Sequence, residues 1–370
     1  MKYGFIIIIL LLILLVFTYV FLRTLSLLPN GSSKWIFSVL FTLGLTFFIG
    51  EMALDHRLNY NVGSVMGAIG STFFLLCVYL IFSYLITDII RIGHAIHPFS
   101  VDNLMSFRKW MAMGSFVLIV VLLVIGSWKF NHPVVVKQEI TLTKALKHDI
   151  TIVVASDIHL GNRIGKSRLN GYVKLINKQK PDIILLAGDL IDRALEPVMN
   201  QKLYEELRQL KAPLGVFAIR GNHEFYSGKP EAVAAFIEKS GITLLLDSTC
   251  LIDQSFYLIG RDDRTNPMRK ELSTLVEGLN RAYPRILLDH QPSQLEVAEQ
   301  NHIDLQFSGH THEGQFFPIN LMVRKMFEKA HGYYRRGKTQ YFISSGLGIW
   351  GPQYRIGTQS EIVVVHLRGN

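Results

Sequence analysis

Cysteine is almost absent from this 370-residue chain: Cys77 lies in an apolar run and Cys250 in a region of mixed charge. Two isolated thiols exclude a disulfide framework and a cysteine-rich metal site. Charge is also scarce, but only in one part of the chain. Residues 1–128 hold seven Lys/Arg and four Asp/Glu, against 31 and 25 in the remaining 242. The first part is crowded with Ile, Leu, Val and Phe, whereas the second has the mixture of a soluble α/β domain. Two different solvents are implied. No Lys/Arg run is long enough for a nucleic-acid arm, so the net charge of +9 does not point to nucleic acid. The densest basic stretch is 324–338, with Arg324, Lys325, Lys329, Arg335, Arg336 and Lys338. It reads as a solvated helix face and loop, with an anionic substrate or lipid headgroup as the alternative.

A bilayer core of about 30 Å takes about 20 apolar residues as helix. Gly4–Leu22 runs 19 residues without a charge, and Trp35–Gly50 runs 16, extended by Met52–Leu54 if Glu51 sits at an interface. Leu58–Thr87 is uncharged over 30 residues, with its span expected at Gly67–Thr87, and Trp110–Trp128 adds 19 with tryptophan anchors at both ends. Four transmembrane helices are therefore expected within residues 1–130. The first is read as a span and not a cleaved signal, because no small-x-small site follows it. Both termini then share one side. The loops around 23–34 and 91–109 carry Arg23, Lys34, Arg91, Arg108 and Lys109. The other side has Lys2 and Arg57, then Lys129, Lys137, Lys144 and Lys147 after the last span. The short loops lean toward an extracytoplasmic position for residues 131–370. Asp88, at the end of an apolar run, is too little acidic chemistry for a transporter.

From about Asn131 strands and helices alternate. Short β-branched runs occur at Ile140–Leu146, Ile150–Ala155, Ile183–Ala187, Gly215–Ile219, Ile242–Leu246, Phe256–Ile259, Ile286–Leu288, Leu305–Phe307, Tyr341–Ser344 and Ile362–Leu367. Helical spacing joins Leu169, Val173 and Ile176, then Val198, Leu203, Leu207 and Leu210, then Val233, Phe236 and Ile237. The pattern predicts a layered α/β domain over 131–370, with no internal repeat or low-complexity segment.

Five polar blocks follow strand ends: Asp157-Ile158-His159, Gly188-Asp189-Leu190-Ile191-Asp192-Arg193, Gly221-Asn222-His223-Glu224, His290, and Gly309-His310-Thr311-His312. Each is weak alone, since a single Asp or His after a strand is usually a turn residue. Together they supply carboxylates, an amide and imidazoles on loops that one sheet edge can gather. So many buried polar groups need a metal to compensate them. The nitrogen–oxygen mixture suits Mn²⁺, Fe or Zn²⁺ better than Mg²⁺ or Ca²⁺. Asp262 and Asp263 follow a strand end as cleft or turn residues, and Glu224 reads as a loop stabiliser. His302, His331 and His366 lie outside any motif.

The order D-x-H, G-D-x-x-D-R, G-N-H-E, a lone His, then G-H-x-H resembles the calcineurin-like metallophosphoesterase superfamily, over roughly Ile150 to Leu367. The resemblance implies a four-layer αββα sandwich, here preceded by an all-α transmembrane region. It implies two divalent metal ions: Asp157, His159 and His312 on the first, Asn222, His290 and His310 on the second, and Asp189 bridging both. It also implies His223 as general acid oriented by Asp192, Arg193 at the phosphate, and a metal-bridging hydroxide as nucleophile. Gly309–Gln315 and Gly346–Pro352 are similar to a bacterial branch whose members often carry membrane segments, which implies a multi-pass protein of the bacterial cell membrane. In that branch Trp350 and Tyr354 would flank the cleft, and Glu313 stands where a glycine is usual. The expected activity is hydrolysis of phosphodiester or phosphomonoester bonds. A lipid-linked or nucleotide-sugar pyrophosphatase, and a non-catalytic membrane scaffold, are the alternatives. An amphiphilic phosphoester and membrane lipid are the expected partners; neither nucleic acid nor a protein partner is expected.

Overall fold

The computed structural model describes residues 2–54, 58–97 and 104–370, with side chains from Ile13 onward. Arg57, counted above among the loop charges, lies outside the described residues. The chain forms two compact units, one of residues 1–57 and 62–125, the other of residues 58–61 and 126–370.

Helices α1 (Lys2–Leu27), α2 (Ser32–Leu54), α3 (Tyr60–Ile96) and α4 (Leu104–Asn131) fall in the first unit, except for residues 60–61 of α3 and 126–131 of α4, which belong to the second. Among the described residues α2, α3 and α4 are long and apolar enough to cross a membrane; the described apolar part of α1, Ile13–Leu27, is shorter than a span. Their apolar residues do not turn inward as in a soluble bundle. Trp35, Ile89 and Val124 are among many left exposed, which suits a hydrocarbon solvent. Small residues bring the helices together: a Cβ on Gly70 of α3 would meet the Phe48 backbone of α2 at 2.7 Å. Asp88 is neutralised where it stands. It accepts from Tyr19 at 2.8 Å and Arg91 at 3.2 Å, and pairs with Arg23.

The second unit has twelve strands: β1 (Val134–Thr141), β2 (Ile150–Ala155), β3 (Ile183–Ala187), β4 (Val216–Ile219), β5 (Thr243–Leu244), β6 (Ser248–Ile252), β7 (Phe256–Gly260), β8 (Arg285–Leu288), β9 (Leu305–Ser308), β10 (Gly332–Arg336), β11 (Thr339–Ile343) and β12 (Glu361–Arg368). One sheet has the order β1-β12-β2-β3-β4-β5 and the other β10-β11-β9-β8-β7-β6. Helices α5 (Lys166–Lys178), α6 (Glu196–Asn200), α7 (Tyr204–Leu207), α8 (His223–Tyr226), α9 (Pro230–Lys239), α10 (Leu272–Val276), α11 (Leu295–Gln300) and α12 (Ile319–Met326) connect them.

Alternation along the strands sorts the layers. Ile152, Val154, Ile183 and Leu185 meet Leu258, Ile286, Leu288 and Phe307 between the sheets. Their neighbours Val153, Ala155, Ile184 and Leu186 pack under Leu169 and Val173 of α5 and Phe236 of α9. Behind the second sheet, Ile259, Leu287 and Tyr341 pack on Leu272 of α10 and Leu295 of α11. The architecture is the expected αββα sandwich.

Three expectations need correction. The first strand is Val134–Thr141, not Ile140–Leu146, and β6 and β10 were not anticipated. All three are edge strands, whose half-buried faces carry polar residues that blur the alternation. Basic residues 335 and 336 therefore lie on a strand and not on a helix face or loop. The helix expected through Val198–Leu210 is two short helices, α6 and α7, because Lys202 adopts φ 53° between them.

Candidate metal centre

Parallel strands bring the polar blocks to one edge. Strands β2, β3 and β4 of one sheet, and β8 and β9 of the other, end immediately before residues 156, 188, 220, 289 and 309. Each loop therefore begins at a strand's carboxyl end, where open α/β sheets bind ligands.

The donors converge as two sets. Asp157, His159 and His312 form one group with ligand atoms within 4.8 Å of one another, and Asp189, His290 and His310 form another. His312 Nε2 stands 3.2 Å from Asp157 Oδ1 and 3.0 Å from His159 Nε2. His290 Nε2 stands 3.1 Å from Asp189 Oδ2, and His310 Nδ1 stands 2.8 Å from Asn222 Oδ1. Asp189 Oδ2 is also 3.8 Å from His159 Nε2, so its carboxylate joins the sets. A third group links His159 and His223 through Asp192, whose Oδ1 is 3.0 Å from His223 Nδ1.

The chemistry of these donors fits divalent cations. The Ala187 carbonyl lies 2.7 Å from His290 Nδ1 and can only accept, so that nitrogen carries the hydrogen. Nε2 is then the atom turned to the Asp189 carboxylate, 3.1 Å away, and a proton or a cation must stand between them. Buried acceptors aimed at acceptors repel unless positive charge lies between them. Asn222 is oriented in the same way. Its Nδ2 donates to Tyr226 Oη at 3.0 Å, which leaves Oδ1 toward His310.

The backbone is bent to make this possible. Asp157 and His159 (φ 54°), Asp189 (φ 52°), His310 (φ 69°) and His312 (φ 48°) all adopt the left-handed region. Strain of about 1–3 kcal/mol per residue is typical of functional sites and needs compensation. Here Asp157 N donates to the Gly188 carbonyl and His159 N to that of Asp189, both at 3.0 Å. Gly188 cannot be larger, because a Cβ there would meet His290 Nδ1 at 2.5 Å. Glu313 takes φ 50°, which explains why glycine suits the position, and its carboxylate pairs with Arg324.

Electrostatics follow the geometry. Burial opposes ionisation of Asp157, yet His312, His290 and His159 together hold its carboxyl well below the usual range. Asp189 and Asp192 are also lowered against burial, Asp189 chiefly by His290 and Asp192 by its hydrogen bonds to His159 and His223. Burial brings His310 and His312 down to about 4, with the His290 charge adding to the effect at His310. Burial also works against a charged His223, but the Asp192 hydrogen bond and the Asp189 charge push it up to about 9.

A cavity of about 440 Å³ opens on this cluster, with Asp189, Arg193, Asn222, His223, His310 and His312 in its wall. Trp350 joins that wall, whereas Tyr354 does not. Asp262 and Asp263 turn elsewhere: Asp262 pairs with Arg220, and Asp263 accepts from Gln291 at 2.9 Å. Glu224 accepts from the backbone N–H of Asp189, Ile191 and Gly221 at 2.7–3.1 Å, tying two of the loops together.

Two contributors escape sequence reading. Arg355 is wholly buried and donates to the carbonyls of His312, Gly346 and Gly348 at 2.6–3.1 Å, fixing the strained turn that carries His312. No local pattern marks it. Tyr226 does have a signal, standing four residues beyond Asn222 on the same helical turn.

Comparison with known proteins follows this geometry. Residues 150–314 match the family model described as calcineurin-like phosphoesterase. A metallophosphoesterase of Helicobacter pylori is 31% identical over 269 residues, covering 71% of each chain. One from Campylobacter jejuni is 34% identical over 230 residues, covering 60% of each. A transmembrane protein with metallophosphoesterase domain from Danio rerio is 31% identical over 288 residues, covering 71% of this chain and 65% of that one. The match thus spans less than two thirds of the Campylobacter and Danio proteins. The apolar helices and the transmembrane relative together support membrane association.

Proposed function

The chain belongs to the calcineurin-like phosphoesterase family, and on that premise we propose that it hydrolyses phosphodiester or phosphomonoester bonds with two divalent cations. The observation that carries this reading is the meeting of two donor sets at Asp189. In it Asp157, His159 and His312 would hold one cation and Asn222, His290 and His310 the other, with Asp189 shared between them. The imidazole-rich donors suit Mn²⁺, Zn²⁺ or Fe. When bound, such a pair supplies Lewis acidity to the phosphoryl oxygens and a strongly acidified water.

The protein's own residues do the rest. The Asp192 backbone carbonyl, 2.7 Å from His223 Nδ1, can only accept, so Nδ1 keeps a hydrogen and the ring is held in one orientation. In the cationic form favoured at neutral pH, Nε2 carries the second proton and His223 lines the cavity. It can therefore protonate the leaving oxygen, as a general acid does. Arg193, exposed in the same wall, meets the phosphate charge. Buried carbonyl, carboxylate and amide groups hold the remaining donors rigid, so little reorganisation is needed during reaction.

Residues 1–130 form the multi-pass membrane region in this reading, and 131–370 the catalytic domain, leaning extracytoplasmic. A reporter fused to the C-terminus reads that side directly. The chemical test is Asp189→Asn, which is expected to abolish turnover of bis(p-nitrophenyl) phosphate in a folded protein. Undiminished turnover would overturn the assignment.

A further inference from the structure

Helix α12 breaks the rule that α5 and α9 obey. In α5 and α9 the apolar stripe is buried: Leu169, Val173 and Ile176 in one, Val233, Phe236 and Ile237 in the other. In α12 the residues at helical spacing are Ile319, Met322, Val323 and Met326, yet the only buried residue of the helix is Asn320. Met326 is 73% exposed and Met322 61%. An apolar stripe in water is costly unless something covers it.

The stripe is not on an arbitrary surface. Ile319, Val323 and Met326, with Phe327 and Trp350, line the same 440 Å³ cavity as Asp189, Asn222 and His310. The Phe327 ring lies 6.2 Å from that of His310. One cavity thus has a charged, metal-ligating end and a wall of thioether, branched aliphatic and aromatic groups. Its volume is that of a small-molecule site. Flexible thioethers and branched alkyls fit chains of varying shape, and they offer no hydrogen-bond partners to a nucleobase or sugar.

We infer that this wall is a subsite for the apolar chain of an amphiphilic phosphoester, whose phosphate sits at the metal-ligating end. The inference rests on the phosphoesterase reading and specifies its substrate class. The occupant is a single phosphate-bearing alkyl, acyl or prenyl chain, and the same polypeptide carries helices suited to the bilayer that would supply such a molecule.

The test uses the full chain in lipid nanodiscs, loaded with Mn²⁺, and alkyl p-nitrophenyl phosphates from methyl to octyl below their micelle concentration. Water adds to phosphorus and the P–O bond to p-nitrophenol breaks, so release is read optically for every member. Each methylene accepted by the wall is expected to raise kcat/KM about two- to fourfold over the first few carbons. Val323→Asp and Met326→Glu should flatten that slope, and Met326→Leu should restore it. Binding of the matching alkylphosphonates, followed by calorimetry, reads the same slope in Kd without turnover. Turnover with a flat slope overturns the inference and leaves the phosphoesterase reading intact. A slope in Kd with no turnover of any ester overturns that reading alone. A slope that survives both acidic substitutions puts the chain elsewhere and overturns the assignment to α12.

Discussion

The two donor sets at the centre differ in depth and chemistry. Asp157, His159 and His312 are all buried, and all three take left-handed backbone. Of these only His312 reaches the cavity wall. In the other set, Asn222 and His310 both line the cavity, the amide replaces a carboxylate, and only His290 is fully enclosed. The difference teaches a division of labour under the proposed function. The deep set pairs a carboxylate with two imidazoles in a dry setting and should hold its cation tightly. The set at the wall has weaker donors and faces the substrate, so its cation should exchange more readily.

Asp189 belongs to both sets, and its loss should have the largest effect. Asp189→Asn is expected to lower kcat by about 10⁴-fold and to leave fewer than two metals per chain by mass spectrometry of metals. Next comes His223→Asn, which touches neither set as a ligand. It should lower kcat by about 10²-fold for an alkoxide leaving group, but far less for p-nitrophenolate, which needs no proton. Its pH profile carries a sign. The acid works only while protonated, so the wild-type rate should fall as pH rises through about 9, and the variant should lack that alkaline limb.

The comparison itself is tested by Asn222→Ala against His159→Ala. The first should weaken one metal by about tenfold and be rescued by excess Mn²⁺; the second should not be rescued. Equal rescue of both variants would erase the distinction between the sets. The smallest effect on chemistry is expected from Arg355→Met, which strands three buried carbonyls behind the deep set. It should cost about 3 kcal/mol of domain stability. A melting point lowered by roughly 6–12 °C would report it, with two metals still bound at low temperature.

The residues that converge on the centre could be read from the chain because strand-end position and residue type are both local properties. A run such as Ile183–Ala187 followed by Gly-Asp states where the carboxylate will stand. The four-layer sandwich was implied by the family resemblance, whereas the same local logic gave a layered α/β domain from alternating strand-like and helix-like runs. It failed at the edges. Val134–Thr141 and Gly332–Arg336 pair on one side only, so their patterns are diluted by polar residues. It also failed at Lys202, where a single positive φ divides a helix whose apolar spacing continues across it.

Amino-acid order, then, was enough to separate an apolar, helix-forming region from a mixed-charge α/β one and to name the metal-donor candidates, because hydrophobic periodicity and donor chemistry are carried residue by residue. What it left open is everything that depends on distance between residues remote along the chain. His312 meets Asp157 across 155 positions, and Arg355 reaches back 43 positions to the His312 carbonyl. The stripe on α12 has the periodicity of any packed helix, and only the folded chain shows that a cavity, not a core, lies against it. Periodicity tells a helix which face is apolar; the packing of distant segments decides what that face will touch.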